Sequence, residues 1–205
     1  MSKTTPKRDL KRELRNLYSG KVGAIQAVEP GTQRYLCWDG QGDPNTSPLY
    51  QRAVEGLFSV SYHLKFAARE THRVDYAVMP LEGLWWSDNP DDFLQGSKAN
   101  WQWTMMILQP AFITLDEVQV AKTAVAKKRG LDLQPLELRE HHEGPTAQTL
   151  HVGPFSEEGP VIARLHQWIA GQGRRLTGKH HEIYLTDIRR ADPARWKTIL
   201  RQPFA

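Results

Sequence analysis

The chain has 205 residues, of which 40% are hydrophobic, so it is long enough to bury an apolar core without disulfides. Its formal net charge is +4, and Cys37 is its single cysteine. One cysteine excludes an intramolecular disulfide and favours a reducing compartment, so we expect a cytoplasmic protein. The first residues contain no apolar export signal, and no segment approaches the roughly 20 apolar residues that cross a bilayer.

The net positive charge suggests nucleic acid as a possible binding partner. Basic residues are densest in residues 7–15, but Asp9 and Glu13 interrupt them. Neither zinc-finger spacing nor a recognisable helix-turn-helix follows. We interpret this segment as a solvated helix face, and we expect no direct contact with nucleic acid and no membrane partner.

The first third of the chain predicts a short helix, a strand and a long helix. Leucines at helical spacing indicate an amphipathic helix over residues 9–18. Residues 33–39 combine aromatic and apolar side chains before a turn, which is typical of a strand. Ser47 can cap a helix that Pro48 begins, and the apolar face of this helix continues to Leu64.

Two strands and a capped helix follow. Residues 75–86 predict a strand that Pro80 interrupts, because proline has no N–H to donate to a neighbouring strand. Residues 101–109 predict the next strand. Thr114 and Glu117 form a capping box for a helix that ends at Gly130.

The last third repeats the alternation of strands and helices. Its predicted elements are strands at 136–141 and 147–152, a helix entered at Gly159 and Pro160, a strand at 180–186, and a short helix opened by Asp192 and Pro193 that ends before Pro203.

The order strand, helix, strand therefore occurs twice, which predicts one α+β domain over residues 1–205 made of two similar halves. We place the first half at 24–110, a linking helix at 111–130 and the second half at 131–205. Glu82 and Glu182 each follow the helix of their half, so a pseudo-twofold arrangement brings both carboxylates to one interface. The alternative, that both are ordinary residues on strand surfaces, stays open at this point.

The strand at 180–186 carries the candidate catalytic residues. Alternation places Glu182 and Tyr184 on one face and Ile183 and Leu185 on the other. A carboxylate beside a phenol in a partly dry cleft can accept a proton or attract a cationic ligand. His180 is a candidate proton donor.

The tryptophans are unevenly spread, and they suggest an aromatic ligand surface. Four of the seven, Trp85, Trp86, Trp101 and Trp103, fall in two neighbouring predicted strands. Trp85 and Trp86 must face opposite sides, so one can pack in the core while the other lines a ligand surface. For any single tryptophan, a plain core position remains the alternative.

Two His-His-Glu runs, at 141–143 and 180–182, could suggest a metal site. Neighbouring strand residues point to opposite faces, so each run offers at most one histidine to a metal, and we expect none. The chain has no phosphate loop, dinucleotide fingerprint or GxSxG motif, so we also expect no cofactor.

Five separated motifs, in order, resemble the GyrI-like small-molecule-binding family. They are WDGQGDPNTSPLYQRAVEGLFSVSYHLKF, VMPLEGLWW, WQWTMMILQP, HVGPFSEEGP and GKHHEIYLTDIRR. The resemblance implies duplicated strand-helix-strand-strand (SHS2) units around a central ligand cleft. It also implies a buried glutamate, which matches Glu182, and hydrophobic or cationic ligands. Our ligand-binding candidates are Glu82, Trp85, Trp86, Trp103, Phe155 and His180.

The chain looks most like stand-alone members of this family, some of which are regarded as cyclopropanoid hydrolases. That likeness implies hydrolysis of a strained electrophile in an aromatic cage of Trp85 or Trp86, Trp103, Tyr184 and Phe155. Glu182 would activate water, and Tyr184 or His180 would supply a proton. The alternative is a non-catalytic module that sequesters or senses small molecules, or binds a protein partner. Either a monomer or a homodimer fits.

Overall fold

An antiparallel β-sheet forms the centre of the computed structural model, which describes residues 6–88 and 98–205. Eight strands build this sheet within the described residues: β2 (Gln26–Val28), β3 (Thr32–Gln41), β5 (Leu81–Trp86), β6 (Gln102–Leu108), β7 (Glu137–His142), β8 (Thr146–Val152), β9 (His180–Tyr184) and β10 (Lys197–Pro203). Their spatial order is β2-β8-β10-β9-β5-β6-β3-β7. β1 (Lys7–Arg8) and β4 (Asp75–Tyr76) form a separate parallel pair.

The described helices are α1 (Leu10–Glu13), α2 (Pro48–Thr71), α3 (Leu115–Arg129) and α4 (Gly159–Gly171). Short 3₁₀ turns lie at Lys98–Asn100, Phe155–Glu157 and Pro193–Arg195. This mixture of helices with a large antiparallel sheet confirms the α+β class. Over the described ranges, we find no helix with both the length and the apolar content to cross a membrane.

The ends of the two longest helices are determined locally. The Ser47 side chain accepts a hydrogen bond from the backbone N–H of Tyr50 at the start of α2. Thr114 and Glu117 form the complete capping box of α3, and Gly130 closes that helix in the left-handed conformation. Sequence and structure agree here because caps depend on neighbours in the chain.

Two runs of elements have the same strand order in the sheet. Leaving aside β4 of the separate pair and the 3₁₀ turns, the first run is β3, α2, β5, β6, and the second is β8, α4, β9, β10. From the centre outwards, the first run places β5, β6 and β3, and the second run places β9, β10 and β8. The two runs therefore meet where β5 pairs with β9. Duplication of one ancestral unit stays a prediction.

Strand register assigns the central side chains to one face of the sheet. Leu200 pairs with Glu182, Glu182 pairs with Gly83, Gly83 pairs with Met105, and Met105 pairs with Trp38. Paired residues on adjacent strands point to the same side. We call this side the helix face.

Helices α2 and α4 both lie on the helix face. α2 covers Trp38 so closely that a Cβ built on Gly56 would lie 2.9 Å from its ring. α4 packs Leu165 and Ile169 against Leu200. α2 therefore covers β3 and β6, α4 covers β8 and β10, and the central strands β9 and β5 lie in the gap between them. We call this gap the cleft.

The predicted last helix is wrong. A 3₁₀ turn occupies Pro193–Arg195, and the chain then enters β10, which pairs with both β8 and β9. Ile199 and Leu200 are both fully buried, one on each face. A strand buried on both faces shows no alternation, so periodicity cannot distinguish it from a short buried helix.

The predicted helix over residues 9–18 is shorter in the structure. Helix α1 ends at Glu13, and the following turns carry Leu17 and Tyr18 into the protein. The Tyr18 hydroxyl donates to Glu82 at 2.5 Å, and Arg201 donates to the Leu17 carbonyl at 2.8 Å. These distant partners override the helical spacing of the leucines.

A buried ionic cluster lies on the opposite face of the sheet. Nδ1 of His181 is 2.8 Å from Glu143, and Nε2 is 3.0 Å from Glu82. Arg201 lies 3.1 Å from the second oxygen of Glu143. His181 can donate a hydrogen bond from both ring nitrogens only as an imidazolium, and its two nitrogens each face a carboxylate oxygen.

The pKa shifts agree with this assignment. Burial lowers the pKa of His181, but the Glu143 charge and the hydrogen bonds to Glu143 and Glu82 outweigh burial and raise it. Burial raises the pKa of Glu143, yet His181 and Arg201 hold it at about 2. Each charge therefore depends on its partners, and removal of one leaves the others buried and uncompensated.

We expect His181→Gln to reduce the free energy of unfolding by about 3–5 kcal/mol at pH 6, because it breaks a buried ion pair. The stabilisation from His181 is fully present below pH 6.5 and is lost as pH rises through its raised native pKa. The difference between the two proteins should therefore narrow towards pH 9. Urea unfolding from pH 5 to 9 measures it.

The matched control is His142→Gln, which changes an exposed histidine on β7. It should leave stability almost unchanged at every pH. A His181→Gln deficit that stayed constant from pH 5 to 9 would contradict a charged native His181.

Candidate functional site

The floor of the cleft combines a carboxylate, a phenol and an indole. The Tyr184 hydroxyl donates to Oε2 of Glu182 at 2.7 Å, and Nε1 of Trp85 donates to the Tyr184 oxygen at 3.0 Å. The Glu182 side chain is 15% exposed. The carboxylate is thus mostly shielded from water but still reachable from the gap between the helices.

The direction of this hydrogen-bond chain is determined by its first member. An indole N–H can only donate, so the Tyr184 oxygen accepts from Trp85 and its own proton points to Glu182. Burial, followed by the Glu182 charge, raises the pKa of Tyr184 well above its usual value. Tyr184 therefore remains a neutral donor to Glu182.

Aromatic rings line both walls of the cleft. From α2, Tyr50 lies 6.2 Å from Trp85 and 5.3 Å from Trp103, measured between ring centroids. On the other wall, Phe155 lies 5.6 Å from Tyr184 and 4.8 Å from Trp196. These flat faces suit aromatic or cationic molecules.

A second carboxyl group, Glu158, lies at the start of α4. Its residue surface is 4% exposed, and within the described residues its Oε1 has no hydrogen-bond partner. Burial, followed by the charge of Glu182, raises the pKa of Glu158 to about 9, although a hydrogen bond with Thr198 opposes the rise. At neutral pH, Glu158 is therefore a protonated acid, unlike the hydrogen-bond acceptor Glu182.

The structure brings most of the sequence-predicted candidates to the helix face. Trp85 and Phe155 lie beside Tyr184. Nε2 of His180 is 3.6 Å from Oε1 of Glu182, beyond hydrogen-bond distance. Trp103 is fully buried behind Tyr50, so it supports the aromatic wall from below.

Glu82 does not face Glu182, so that expectation is wrong. In the β5–β9 pairing, Glu82 lies opposite Ile183, whereas Gly83 lies opposite Glu182. Because neighbours on a strand alternate, Glu82 points to the opposite face, where it is fully buried against Tyr18 and His181. Its role there is to hold the ionic cluster together.

Trp86 also lies on the opposite face, which resolves the choice between the adjacent tryptophans. The Lys179 ammonium lies 3.1 Å from the centroid of the Trp86 ring. Both line an open depression of about 480 Å³ whose wall includes the Asp39–Arg139 ion pair at 2.8 Å. This depression is polar, and the sheet separates it from Glu182.

Sequence reasoning missed Glu158, Tyr50 and Trp196. Glu158 directly precedes the Gly159–Pro160 helix start, and this position was its only sequence signal. Tyr50 belongs to the apolar face predicted for α2 and carried no separate signal, and Trp196 fell in the wrongly predicted last helix. In residues 6–88 and 98–205, no group of three or more potential ligands could hold a metal ion.

Comparisons with known proteins are consistent with this architecture. A family model described as the GyrI-like small molecule binding domain matches residues 33–203. An uncharacterised conserved protein from Listeria innocua is 37% identical with a TM-score of 0.89, and the alignment covers 96% of this chain and 99% of that one. No curated protein matches.

Two further solved structures from Listeria innocua are described as hydrolases. One is 36% identical with a TM-score of 0.84, and the alignment covers 96% of this chain and 99% of that chain. The other is 35% identical with a TM-score of 0.87, and the alignment covers 97% of this chain and all of that chain.

The protonation of Glu158 can be tested through stability. Between about pH 4.5 and 9 the native carboxyl keeps a proton that the unfolded chain has released, so rising pH favours unfolding. Glu158→Gln removes this ionisation, so we expect a Tm about 2–4 °C above that of the unsubstituted protein at pH 8, and no gain at pH 5. Calorimetry at both pH values measures the difference.

Glu157→Gln, on the exposed neighbour, should give the same small effect at both pH values. If Glu158→Gln also changed Tm equally at pH 5 and pH 8, the neutral state of Glu158 would be refuted.

Proposed function

Because this chain belongs to the GyrI-like small-molecule-binding family, we propose that its cleft binds a hydrophobic, aromatic molecule and hydrolyses a strained electrophile, with Glu182 as general base. The single observation that carries the proposal is the aromatic surround of Glu182, whose carboxylate accepts a hydrogen bond from Tyr184. The two solved Listeria proteins described as hydrolases support a hydrolytic reaction.

The substrate class follows from the walls of the cleft. Aromatic surfaces from Tyr50 and Phe155, with the buried Trp85 packed beside Tyr50, suit a flat, conjugated molecule. A cyclopropane ring conjugated to a carbonyl group, as in DNA-alkylating cyclopropanoids, combines such a flat body with a strained electrophilic carbon. Detoxification of such compounds is the biological role that fits this chemistry.

In the proposed reaction, Glu182 takes a proton from water while the water oxygen bonds to a ring carbon. The strained carbon–carbon bond breaks, and its electron pair moves to the conjugated carbonyl oxygen. That oxygen takes a proton from Glu158, which is protonated at neutral pH. Transfer of one proton from Glu182 to Glu158 restores both groups, so the net reaction is addition of water.

Glu158 is a better proton donor than Tyr184 in this scheme. The hydroxyl proton of Tyr184 already points to Glu182, and burial raises the pKa of the phenol well above its usual value. Two carboxyl groups whose environments separate their protonation states are a common acid–base arrangement in enzymes. His180, 3.6 Å from Glu182, remains a second candidate donor.

A second function uses the same cleft without chemistry. A shielded carboxylate between aromatic rings also fits a lipophilic cation, because ring faces and carboxylate both attract positive charge. In that case the protein sequesters or senses such compounds. The two functions differ in what they require of Glu182: proton transfer in one, negative charge in the other.

Glu182→Gln separates the two functions. Glutamine keeps the size of the side chain and an oxygen that accepts from Tyr184, but it cannot take a proton from water. We expect turnover of a neutral cyclopropane-containing alkylator to fall by about 10²–10⁴, the usual worth of general acid–base help, with affinity nearly unchanged. Chromatography of the ring-opened product and quenching of tryptophan fluorescence measure the two quantities.

The control is Glu140→Gln, on an exposed glutamate of β7, which should turn over normally. The sequestering function predicts a different result: no ring-opened product from either protein, and weaker binding of a cationic dye by Glu182→Gln. Normal turnover by Glu182→Gln would eliminate Glu182 as the base.

A further inference from the structure

Gly83 lies directly opposite Glu182 in the pairing of β5 with β9. Leu81, Gly83 and Trp85 alternate onto the helix face, so a side chain at position 83 would project into the cleft. A Cβ built on Gly83 would lie 2.7 Å from Nε1 of Trp85 and 3.2 Å from the Tyr184 hydroxyl oxygen. The first distance is too short for any real Cβ contact.

The backbone does not require glycine at this position. Gly83 is absent from the glycines with positive φ, so an ordinary residue could adopt its conformation. Glycine also weakens a strand interior, because it contributes no packing and loses more entropy on folding. Glycine is therefore needed at position 83 because a side chain would collide with its neighbours, not because of the backbone conformation.

The indole of Trp85 uses that space. Trp85 is two residues along the strand on the same face, and its ring nitrogen lies over the position that a Cβ of residue 83 would approach. From there it donates to Tyr184, and Tyr184 donates to Glu182. Both hydrogen bonds therefore depend on the absence of a side chain at position 83.

We infer that Gly83 is a positioning residue, whose lack of a side chain lets Trp85 orient the Tyr184 proton towards Glu182. The inference rests on the proposed function, in which Glu182 must be held as an acceptor facing the bound molecule. A methyl group at position 83 displaces the indole, and the Tyr184 hydroxyl then loses the donor that sets its direction.

The first experiment observes the geometry without any substrate. The indole N–H resonance of Trp85, assigned by its absence in Trp85→Phe, is recorded by NMR in Gly83→Ala and in Tyr184→Phe. We expect both variants to shift it in the same direction, because both remove its acceptor contact. An unchanged resonance in Gly83→Ala overturns the inference, whatever the protein catalyses.

The second experiment is a double-mutant cycle on turnover of the cyclopropane-containing alkylator. We expect Gly83→Ala to lower kcat by about tenfold, the size of one hydrogen bond, with a smaller change in KM. Phenylalanine at position 85 has no N–H and a smaller ring. When Trp85→Phe is already present, adding Gly83→Ala should therefore lower kcat by less than about twofold.

Two controls keep the outcomes separate. Gly171→Ala adds the same methyl group where, apart from its chain neighbours and its own helix backbone, no atom lies within 4 Å, and it should leave both readouts unchanged. If Gly83→Ala does not fold, the Gly83→Ala/Trp85→Phe protein should fold again, and failure of that rescue overturns the inference. If the kcat loss of the double variant equals the product of the two single losses, the inference is also overturned. If the unsubstituted protein does not turn over the alkylator, only the proposed hydrolysis is refuted.

Discussion

The pairing of β5 with β9 is the constraint on which the rest of this structure depends. Its register sets Gly83 against Glu182 and Glu82 against Ile183. Because side chains alternate, the same two strands send one carboxylate into the cleft and the other into the ionic cluster behind it. A shift by one residue would exchange the two faces and bury the wrong charges.

The two faces of the sheet differ in how their buried carboxyl groups are stabilised. Behind the sheet, His181 contacts both buried carboxyl groups, Arg201 pairs with Glu143, and the cluster also holds the segment at Leu17 and Tyr18 against the sheet. In the cleft, burial and the Glu182 charge raise the pKa of Glu158 and outweigh the opposing charge of Lys98, so Glu158 stays protonated. The first arrangement supports the fold, and the second leaves hydrogen-bonding capacity for a bound molecule.

Local sequence signals predicted much of the architecture. Some features depend only on neighbours in the chain, so the sequence predicts them. They are the caps of α2 and α3, the interruption at Pro80 and the alternation on β9. The predicted last helix failed because β10 is buried on both faces, and the predicted first helix was too long because its end is held by residues far away in sequence.

The sequence by itself determined the α+β class, the concentration of aromatic residues and the shared face of Glu182 and Tyr184. Only the tertiary structure decided that Trp85 rather than Trp86 enters the cleft, that Glu82 lies behind the sheet, and that Glu158 is buried beside Glu182. The physical reason is that periodicity gives relative directions along one strand. Which face meets helices, and which charges meet each other, depends on pairing between strands that are about a hundred residues apart, such as β5 and β9.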